Sequence, residues 1–157
     1  MKPVETDRAE RVGKLLRGRT LAAAESCTAG LVAQALAATE GSMDWFRGGL
    51  VAYQSGVKRE LLGVGPGPVV TERTACEMAL GATRLFTADV AVSVTGVAGP
   101  EALDGVEPGV VIVGVATDGT ATALEHRLRG DPATICLQAA EAALDDLAHW
   151  LGEPPEA

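Results

Sequence analysis

The chain has 157 residues, the size of one ordinary domain, and 47% of them are hydrophobic and 22% charged, which argues against a disordered chain. Thirteen Lys and Arg residues against 21 Asp and Glu residues give a formal net charge of −8. Because no basic run exceeds two residues, nucleic acid is not expected as a partner. A small anionic ligand is not excluded, since a few local donors can hold one.

The cysteine spacing and the first residues of the chain are typical of a protein in the reducing cytoplasm. Cys27, Cys76 and Cys136 are widely spaced and form no CxxC pair, so neither a disulfide framework nor a zinc site is expected. The first residues lead directly into charged positions without the apolar segment of a signal peptide, and no apolar run is long enough for a membrane span. We therefore expect a soluble cytoplasmic domain without a zinc site or a membrane span.

Hydrophobic periodicity and capping residues predict helices and strands that alternate before a late hairpin. Helices are predicted at 6–17, with Thr6 as cap, and at 28–38, 57–62 and 71–86, and a last helix starts at Asp131-Pro132. Strands are predicted at 20–25, 48–53, 89–94, 109–117 and 121–128, with a turn at 118–120 and a frayed tail at 152–157. This order predicts one α/β domain, residues 1–157, whose mixed sheet has helices on both faces.

Ser26 lies between a predicted strand and a predicted helix, and it is the first candidate nucleophile. At a helix start, backbone N–H groups and the helix dipole favour negative charge, so they could stabilise the oxyanion formed when a serine attacks a carbonyl. A capping role for Ser26 or Thr28 is the alternative. The Gly-x-Ser-x-Gly pattern of a nucleophile elbow is absent.

The base for such a serine is predicted to be a lysine. The chain has two histidines, and nothing in the sequence links His126 or His149 to Ser26. Lys58 falls near the start of the predicted helix 57–62, where the helix dipole would lower the pKa of its ammonium, and Tyr53 could relay a proton. The alternative is that Lys58 is a solvated surface charge and Tyr53 a partly buried sheet residue.

Two further segments are weaker candidates. Cys27 at a helix start could be a nucleophile of lowered pKa, but we prefer a structural role for an isolated cysteine beside apolar residues. The loop 95–100 follows a strand end, where α/β sheets bind ligands, and Gly96 and Gly99 would let a phosphate approach the backbone. It lacks the lysine of a P-loop and the glycine spacing of a dinucleotide fingerprint.

Four blocks together resemble one family. Residues 24–30 (AESCTAG) resemble its AESCTGG signature, and residues 48–53 (GGLVAY) with Lys58 resemble its GGVVAYSNEAK block. Residues 94–100 (VTGVAGP) match its TGIAGP loop, and residues 128–131 (LRGD) its FRGDR segment. In this order the blocks cover nearly the whole chain and resemble the CinA carboxyl-terminal domain family, the nicotinamide-nucleotide amidases.

The resemblance implies a three-layer α/β/α sandwich with a mixed, mostly parallel sheet and a late β-hairpin. It also implies a homo-oligomer that hydrolyses the carboxamide of nicotinamide mononucleotide to nicotinate mononucleotide and ammonia without a cofactor. By the same resemblance, Ser26 is the nucleophile, and Lys58 and Tyr53 activate it. The implied substrate-binding residues are Glu25, Cys27, Thr28, Thr95, Gly96 and Gly99.

This chain departs from the family pattern around the implied phosphate site. Glu101, Asp104 and Glu107 stand in a segment where the family has glycines and a lysine, while Pro132 and Cys136 replace expected arginines. Added carboxylates would repel a substrate phosphate. Two alternatives therefore remain: a nucleotide- or metabolite-binding domain without amidase activity, and an amidase for a less anionic amide.

Overall fold

The computed structural model describes residues 4–152, which form five α-helices and five β-strands. A 3₁₀ turn, Ser42–Asp44, precedes the second strand, and the predicted tail lies outside the described residues apart from Gly152. In chain order the elements are α1 (Thr6–Leu16), β1 (Leu21–Glu25), α2 (Leu31–Ala37), β2 (Phe46–Val51), α3 (Ser55–Leu62), α4 (Glu72–Phe86), β3 (Val90–Gly96), β4 (Val110–Thr117), β5 (Thr120–Arg127) and α5 (Pro132–Trp150).

The five strands form one mixed sheet in the order β2-β1-β3-β4-β5. The strand β1 pairs in parallel with β2 and β3, whereas β3, β4 and β5 pair antiparallel. Asp118 and Gly119 join β4 to β5 with positive φ angles of 51° and 78°, as a two-residue hairpin turn requires. The predicted mixed sheet with a late hairpin is confirmed.

Helices cover both faces of the sheet. Leu21 and Ala23 of β1 belong to the core cluster that includes α1, α2 and α5. The alternate residues Ala22 and Ala24 pack in a second cluster with Met78 of α4 and the last residue of α3. Both faces of β1 are thus buried, which explains its continuous apolar sequence and confirms the three-layer α/β/α fold. No helix within residues 4–152 combines the length and apolar composition needed to cross a membrane.

Local signals predicted some element ends correctly and others wrongly. Thr71 and Asp131 cap α4 and α5, since their side chains accept hydrogen bonds from the N–H groups three residues later. The predicted cap Thr6 is wrong: it is already helical, and Glu5 precedes the helix without a side-chain cap bond. The predicted strand 48–53 is also shifted, since β2 covers Phe46–Val51.

The helix after Ser26 begins three residues later than predicted. Ala29 and Gly30 have φ angles of 47° and 104°, and a right-handed helix cannot contain this left-handed backbone. Residues 26–30 therefore form a turn, and Ser26 is not adjacent to the first turn of α2.

The contact between α3 and α4 predicts that alanine substitutions at two helical glycines change the free energy of unfolding by different amounts. A Cβ atom on Gly81 of α4 would overlap the carbonyl of Leu62 at the end of α3, whereas a Cβ on Gly56 of α3 would meet no atom within 4 Å. We expect Gly81→Ala to lower the free energy of unfolding by about 2 kcal/mol, and Gly56→Ala to leave it unchanged or raise it by up to ~1 kcal/mol. Urea denaturation measures both, and equal effects would contradict the close α3–α4 contact.

Candidate functional site

Three parallel strands bring the predicted site residues to one edge of the sheet. Ser26 follows β1, Tyr53 follows β2 by two residues, and the loop 97–100 follows β3. Because β1 lies between β2 and β3, this edge is where the chain connections diverge to either side. Open α/β sheets bind ligands at such a switch point.

The turn after β1 holds Ser26 in a defined position. Its N–H donates to the carbonyl of Val94 in β3 at 3.0 Å, so the serine continues the strand pairing by one residue. Its own carbonyl accepts from the N–H of Ala29 at 3.0 Å, which closes the turn. Ser26 is 8% exposed, and it lines a small cavity described below.

Glu25 is a buried carboxylate whose two oxygens are both occupied. Oε1 accepts from the Thr28 hydroxyl at 2.7 Å and from the N–H of Val32 at 2.9 Å, and Oε2 accepts from the N–H of Ala33 at 3.0 Å. These contacts cap the start of α2 and hold the turn that carries Ser26. The Glu25 carboxylate and the Thr28 hydroxyl therefore have partners within the fold. Thr28 also lines the cavity described below, and the substrate contacts of both residues stay predictions.

Lys58 reaches Ser26 from the first turn of α3. Long side chains in a helix point back toward its amino terminus, and the Lys58 Nζ accordingly lies 2.9 Å from the Ser26 Oγ. The Nζ also donates to the main-chain carbonyl of Tyr53 at 2.9 Å. The predicted pairing of Ser26 with Lys58 is therefore present as a direct contact.

The surroundings of Lys58 lower the pKa of its ammonium. The residue is 1% exposed, and no carboxylate between residues 4 and 152 forms an ion pair with it. Burial lowers the pKa of the Lys58 ammonium from its ordinary value of 10.5, because desolvation disfavours the charged form. A neutral amine can accept the proton of the Ser26 hydroxyl across the same 2.9 Å contact.

Tyr53 contacts the pair through its backbone. Its carbonyl accepts a hydrogen bond from the Lys58 Nζ, while the residue is 66% exposed and its side chain has no hydrogen bond in the described chain. The predicted proton relay through the phenol is thus not supported by a contact with Ser26 or Lys58. Its ring instead lines the cavities in front of Ser26.

The amides of Cys27 and Thr28 are the available donors beside Ser26. No acceptor within residues 4–152 receives a hydrogen bond from either N–H. Burial raises the pKa of the Cys27 thiol to about 12, so the thiol remains protonated and is a poor nucleophile. The main-chain carbonyl of Cys27 accepts a hydrogen bond from the Cys136 thiol at 3.1 Å, which fits the structural role we preferred for Cys27.

The loop after β3 contributes backbone rather than hydroxyl groups. The Thr95 hydroxyl donates to the Val69 carbonyl at 2.8 Å and Thr95 is buried, so this hydroxyl has a partner within the fold and its contact with substrate stays a prediction. Gly96 and Gly99 line the cavity beside Ser26. Gly99 has a φ of 89°, and a Cβ there would lie 2.9 Å from Pro108, so both conformation and space require glycine.

The cavity in front of Ser26 has two adjoining lobes that share Cys27, Tyr53, Ala98 and Gly99. The Ser26 lobe has a volume of about 180 Å³ and includes Glu101. The outer lobe has a volume of about 600 Å³; it is lined by the turn 27–30, by Gln34 and by the start of α5 at Pro132, Ala133 and Cys136.

The charges of the altered loop are distributed over different places. Within residues 4–152, Glu101 is the one charged side chain that lines either lobe. Glu107 lines a separate cavity with Arg127, and Asp104 lines neither lobe. Only one of the three carboxylates therefore adjoins Ser26.

Sequence reasoning missed some groups and rightly set others aside. Gln34, the one polar residue of α2, was not singled out although it lines the outer lobe. The carbonyl of Tyr53 could not be identified because its role depends on a tertiary contact. His126 contacts Asp146 at 2.7 Å on another part of the fold, so it is not the base for Ser26.

The buried Lys58 predicts a pH-dependent stability difference. Between its lowered pKa in the folded state and its ordinary value of 10.5 in the unfolded chain, the unfolded state binds more protons, so wild-type stability gains from rising pH. We expect Lys58→Met to exceed wild type by about 1 kcal/mol in free energy of unfolding near pH ~7, and the gap to shrink toward pH ~10. Urea denaturation across that range measures it, with the exposed Lys14→Met as control. A gap independent of pH would contradict this account.

The contacts of Glu25 predict that replacing it with an uncharged residue will lower the free energy of unfolding. Gln cannot accept with both side-chain atoms, so Glu25→Gln leaves an N–H donor of α2 facing an amide nitrogen. We expect a loss of about 1–3 kcal/mol in the free energy of unfolding. Glu60→Gln, on the exposed face of α3, should change it by less than about 0.5 kcal/mol. Similar values for both variants would show that the capping contacts contribute little.

Comparisons with known proteins identify the family of the chain. The family model for the CinA C-terminal domain matches residues 5–151. A nicotinamide-nucleotide amidohydrolase PncC from Enterobacter agglomerans is 41% identical over 135 residues, which covers 82% of each chain. A putative competence-damage inducible protein from Halothermothrix orenii is 41% identical over 136 residues, 81% of this chain and 33% of that protein. The chain therefore spans about a third of the length of that longer relative.

Solved structures have the same architecture. The crystal structure of a competence-damaged protein (CinA) superfamily protein from Klebsiella pneumoniae superposes with a TM-score of 0.89 at 32% identity. The match covers 93% of this chain and 96% of that one. Family model, sequence identity and fold agree over the same residues, and the chain belongs to the CinA C-terminal domain family.

Proposed function

We propose that the chain is a serine amidohydrolase that converts nicotinamide mononucleotide to nicotinate mononucleotide and ammonia. The observation that carries the proposal is the 2.9 Å contact between the Ser26 Oγ and the buried Lys58, for which residues 4–152 provide no counter-ion. The name of the Enterobacter agglomerans relative supports the substrate. We retain the predictions of a cytoplasmic location and a homo-oligomer as part of this proposal.

The first half of the reaction uses Lys58 as base. Neutral Lys58 accepts the Ser26 proton as the Oγ forms a bond to the carboxamide carbon. The N–H groups of Cys27 and Thr28 stabilise the oxyanion, because they lie next to the nucleophile and have no other acceptor in the described residues. When the carbon–nitrogen bond breaks, the Lys58 ammonium returns the proton to the departing nitrogen, and ammonia leaves an ester on Ser26.

The second half releases the acid product. Lys58, neutral again, accepts a proton from a water molecule that attacks the ester carbonyl. The carbon–oxygen bond to Ser26 then breaks, and the serine oxygen takes the proton from Lys58. The same base thus serves both steps, and the Tyr53 carbonyl keeps its amine oriented toward Ser26 throughout.

Removing the nucleophile tests the proposal. Wild type should release ammonia from nicotinamide mononucleotide, and Ser26→Ala should reduce kcat by about a thousandfold or more. Ser42→Ala, in the 3₁₀ turn outside the two lobes, should retain wild-type activity. Release at background level from wild type and Ser26→Ala alike would reject the amidase for nicotinamide mononucleotide and leave a binding domain or an amidase for another amide.

A second candidate is an amidase for a less anionic amide. It is favoured by the lining of the two lobes, which within residues 4–152 includes no cationic side chain to pair with a phosphate. Assays with nicotinamide riboside, which lacks the phosphate, distinguish the two. A higher kcat/KM for the riboside than for the mononucleotide would select this second candidate.

A further inference from the structure

Glu101 is an acidic residue that borders the same cavity as Ser26. It lines the Ser26 lobe but not the outer lobe. Within the described chain it makes no hydrogen bond and no ion pair, and its side chain is exposed. A carboxylate that contributes no contact to the fold and borders the nucleophile lobe is available to a ligand.

The loop that carries Glu101 is held in place by backbone contacts. Leu103 and Val106 exchange N–H to carbonyl hydrogen bonds of 3.0 and 2.8 Å. Gly99 lies so close to Pro108 that a Cβ atom on Gly99 would be 2.9 Å from the Pro108 side chain. Glu101 is therefore presented to the lobe from an ordered segment.

The position of the reacting ring follows from the chemistry. An attacking oxygen lies about 3–3.5 Å from the amide carbon, and in a nicotinamide compound that carbon is bonded directly to the ring. Because Ser26 lines only the smaller lobe, the ring must enter that lobe, while the rest of the substrate extends into the outer one. The ring then lies in the same lobe as Glu101 and the side chain of Tyr53.

We infer that Glu101 is a specificity-determining residue that selects amides attached to a positively charged ring over neutral aromatic amides. In a nicotinamide nucleotide the ring nitrogen is quaternary, so the ring carries a positive charge that a carboxylate attracts. The exposed ring of Tyr53 adds a cation–π surface to the same lobe. Buried Lys58 faces Ser26 and does not line the lobe.

The inference rests on the proposed function for the position of the ring, and it deepens that function by naming a feature of the substrate. It also gives a role to a residue that departs from the family pattern. A single attraction in a solvent-exposed lobe changes affinity about threefold to tenfold, and salt weakens it.

Binding of two small probes to inactive protein tests the inference without turnover. The probes are 1-methylnicotinamide, a cation, and nicotinamide, which is neutral at pH ~7.5; neither carries a phosphate. Their dissociation constants are measured by NMR titration of Ser26→Ala, of Ser26→Ala with Glu101→Gln, and of Ser26→Ala with Glu107→Gln. The last is the matched control, because Glu107 belongs to the same loop but lines another cavity.

We expect Ser26→Ala to bind the cation about threefold to tenfold more tightly than the neutral probe, with a smaller ratio at high salt. Glu101→Gln should bring the ratio close to one, and Glu107→Gln should preserve it. In the otherwise wild-type enzyme, Glu101→Gln should raise KM for nicotinamide mononucleotide by a similar factor while kcat stays within about twofold.

Equal binding of the two probes, or the same loss of preference in the Glu107→Gln protein, overturns the inference. Such a result in an enzyme that releases ammonia from the mononucleotide rejects the role of Glu101 alone. Absence of ammonia release instead rejects the proposed function, and the probe titrations still decide whether Glu101 selects the charge.

Discussion

The burial of Lys58 beside Ser26 is the constraint on which the site depends. A buried ammonium loses its hydration, and no carboxylate within residues 4–152 pairs with it, so burial lowers the pKa of the Lys58 ammonium from its ordinary value. The result is an amine of lowered pKa that lies 2.9 Å from the Ser26 hydroxyl. A carboxylate partner would stabilise the ammonium and remove the basicity that the contact with Ser26 provides.

Glu25, one residue before the nucleophile, is a carboxylate that does not pair with Lys58. A free carboxylate there would be a natural partner for Lys58. Both of its oxygens are instead held by the N–H groups of Val32 and Ala33 and by the Thr28 hydroxyl, where the dipole of α2 compensates its charge. The helix thus accommodates the negative charge and the turn keeps its shape, while Lys58 forms no ion pair with any residue from 4 to 152. The amino end of α2 is in consequence occupied by the protein itself.

Sequence reasoning succeeded where the signal is local. The caps Thr71 and Asp131 and the Asp118–Gly119 turn depend on neighbouring residues and were predicted correctly. The start of α2 was wrong because the left-handed backbone of Ala29 has no signature in its own side chain. Nor could sequence show that the Thr95 hydroxyl binds a carbonyl 26 residues away, since that contact is made by the fold.

The net charge of the chain is a poor guide to the substrate, because the effect of a charged side chain on a ligand depends on its distance from the ligand. A formal charge of −8 spread over an exposed surface is screened within about 10 Å at ordinary salt. A carboxylate in a lobe of about 180 Å³ lies well inside that distance of whatever binds beside Ser26. The other two acidic residues of the loop line neither lobe, so the repulsion expected from three charges reduces to the effect of one. Glu101 attracts a cationic ring held near Ser26 and repels a phosphate more weakly the farther that phosphate extends into the outer lobe.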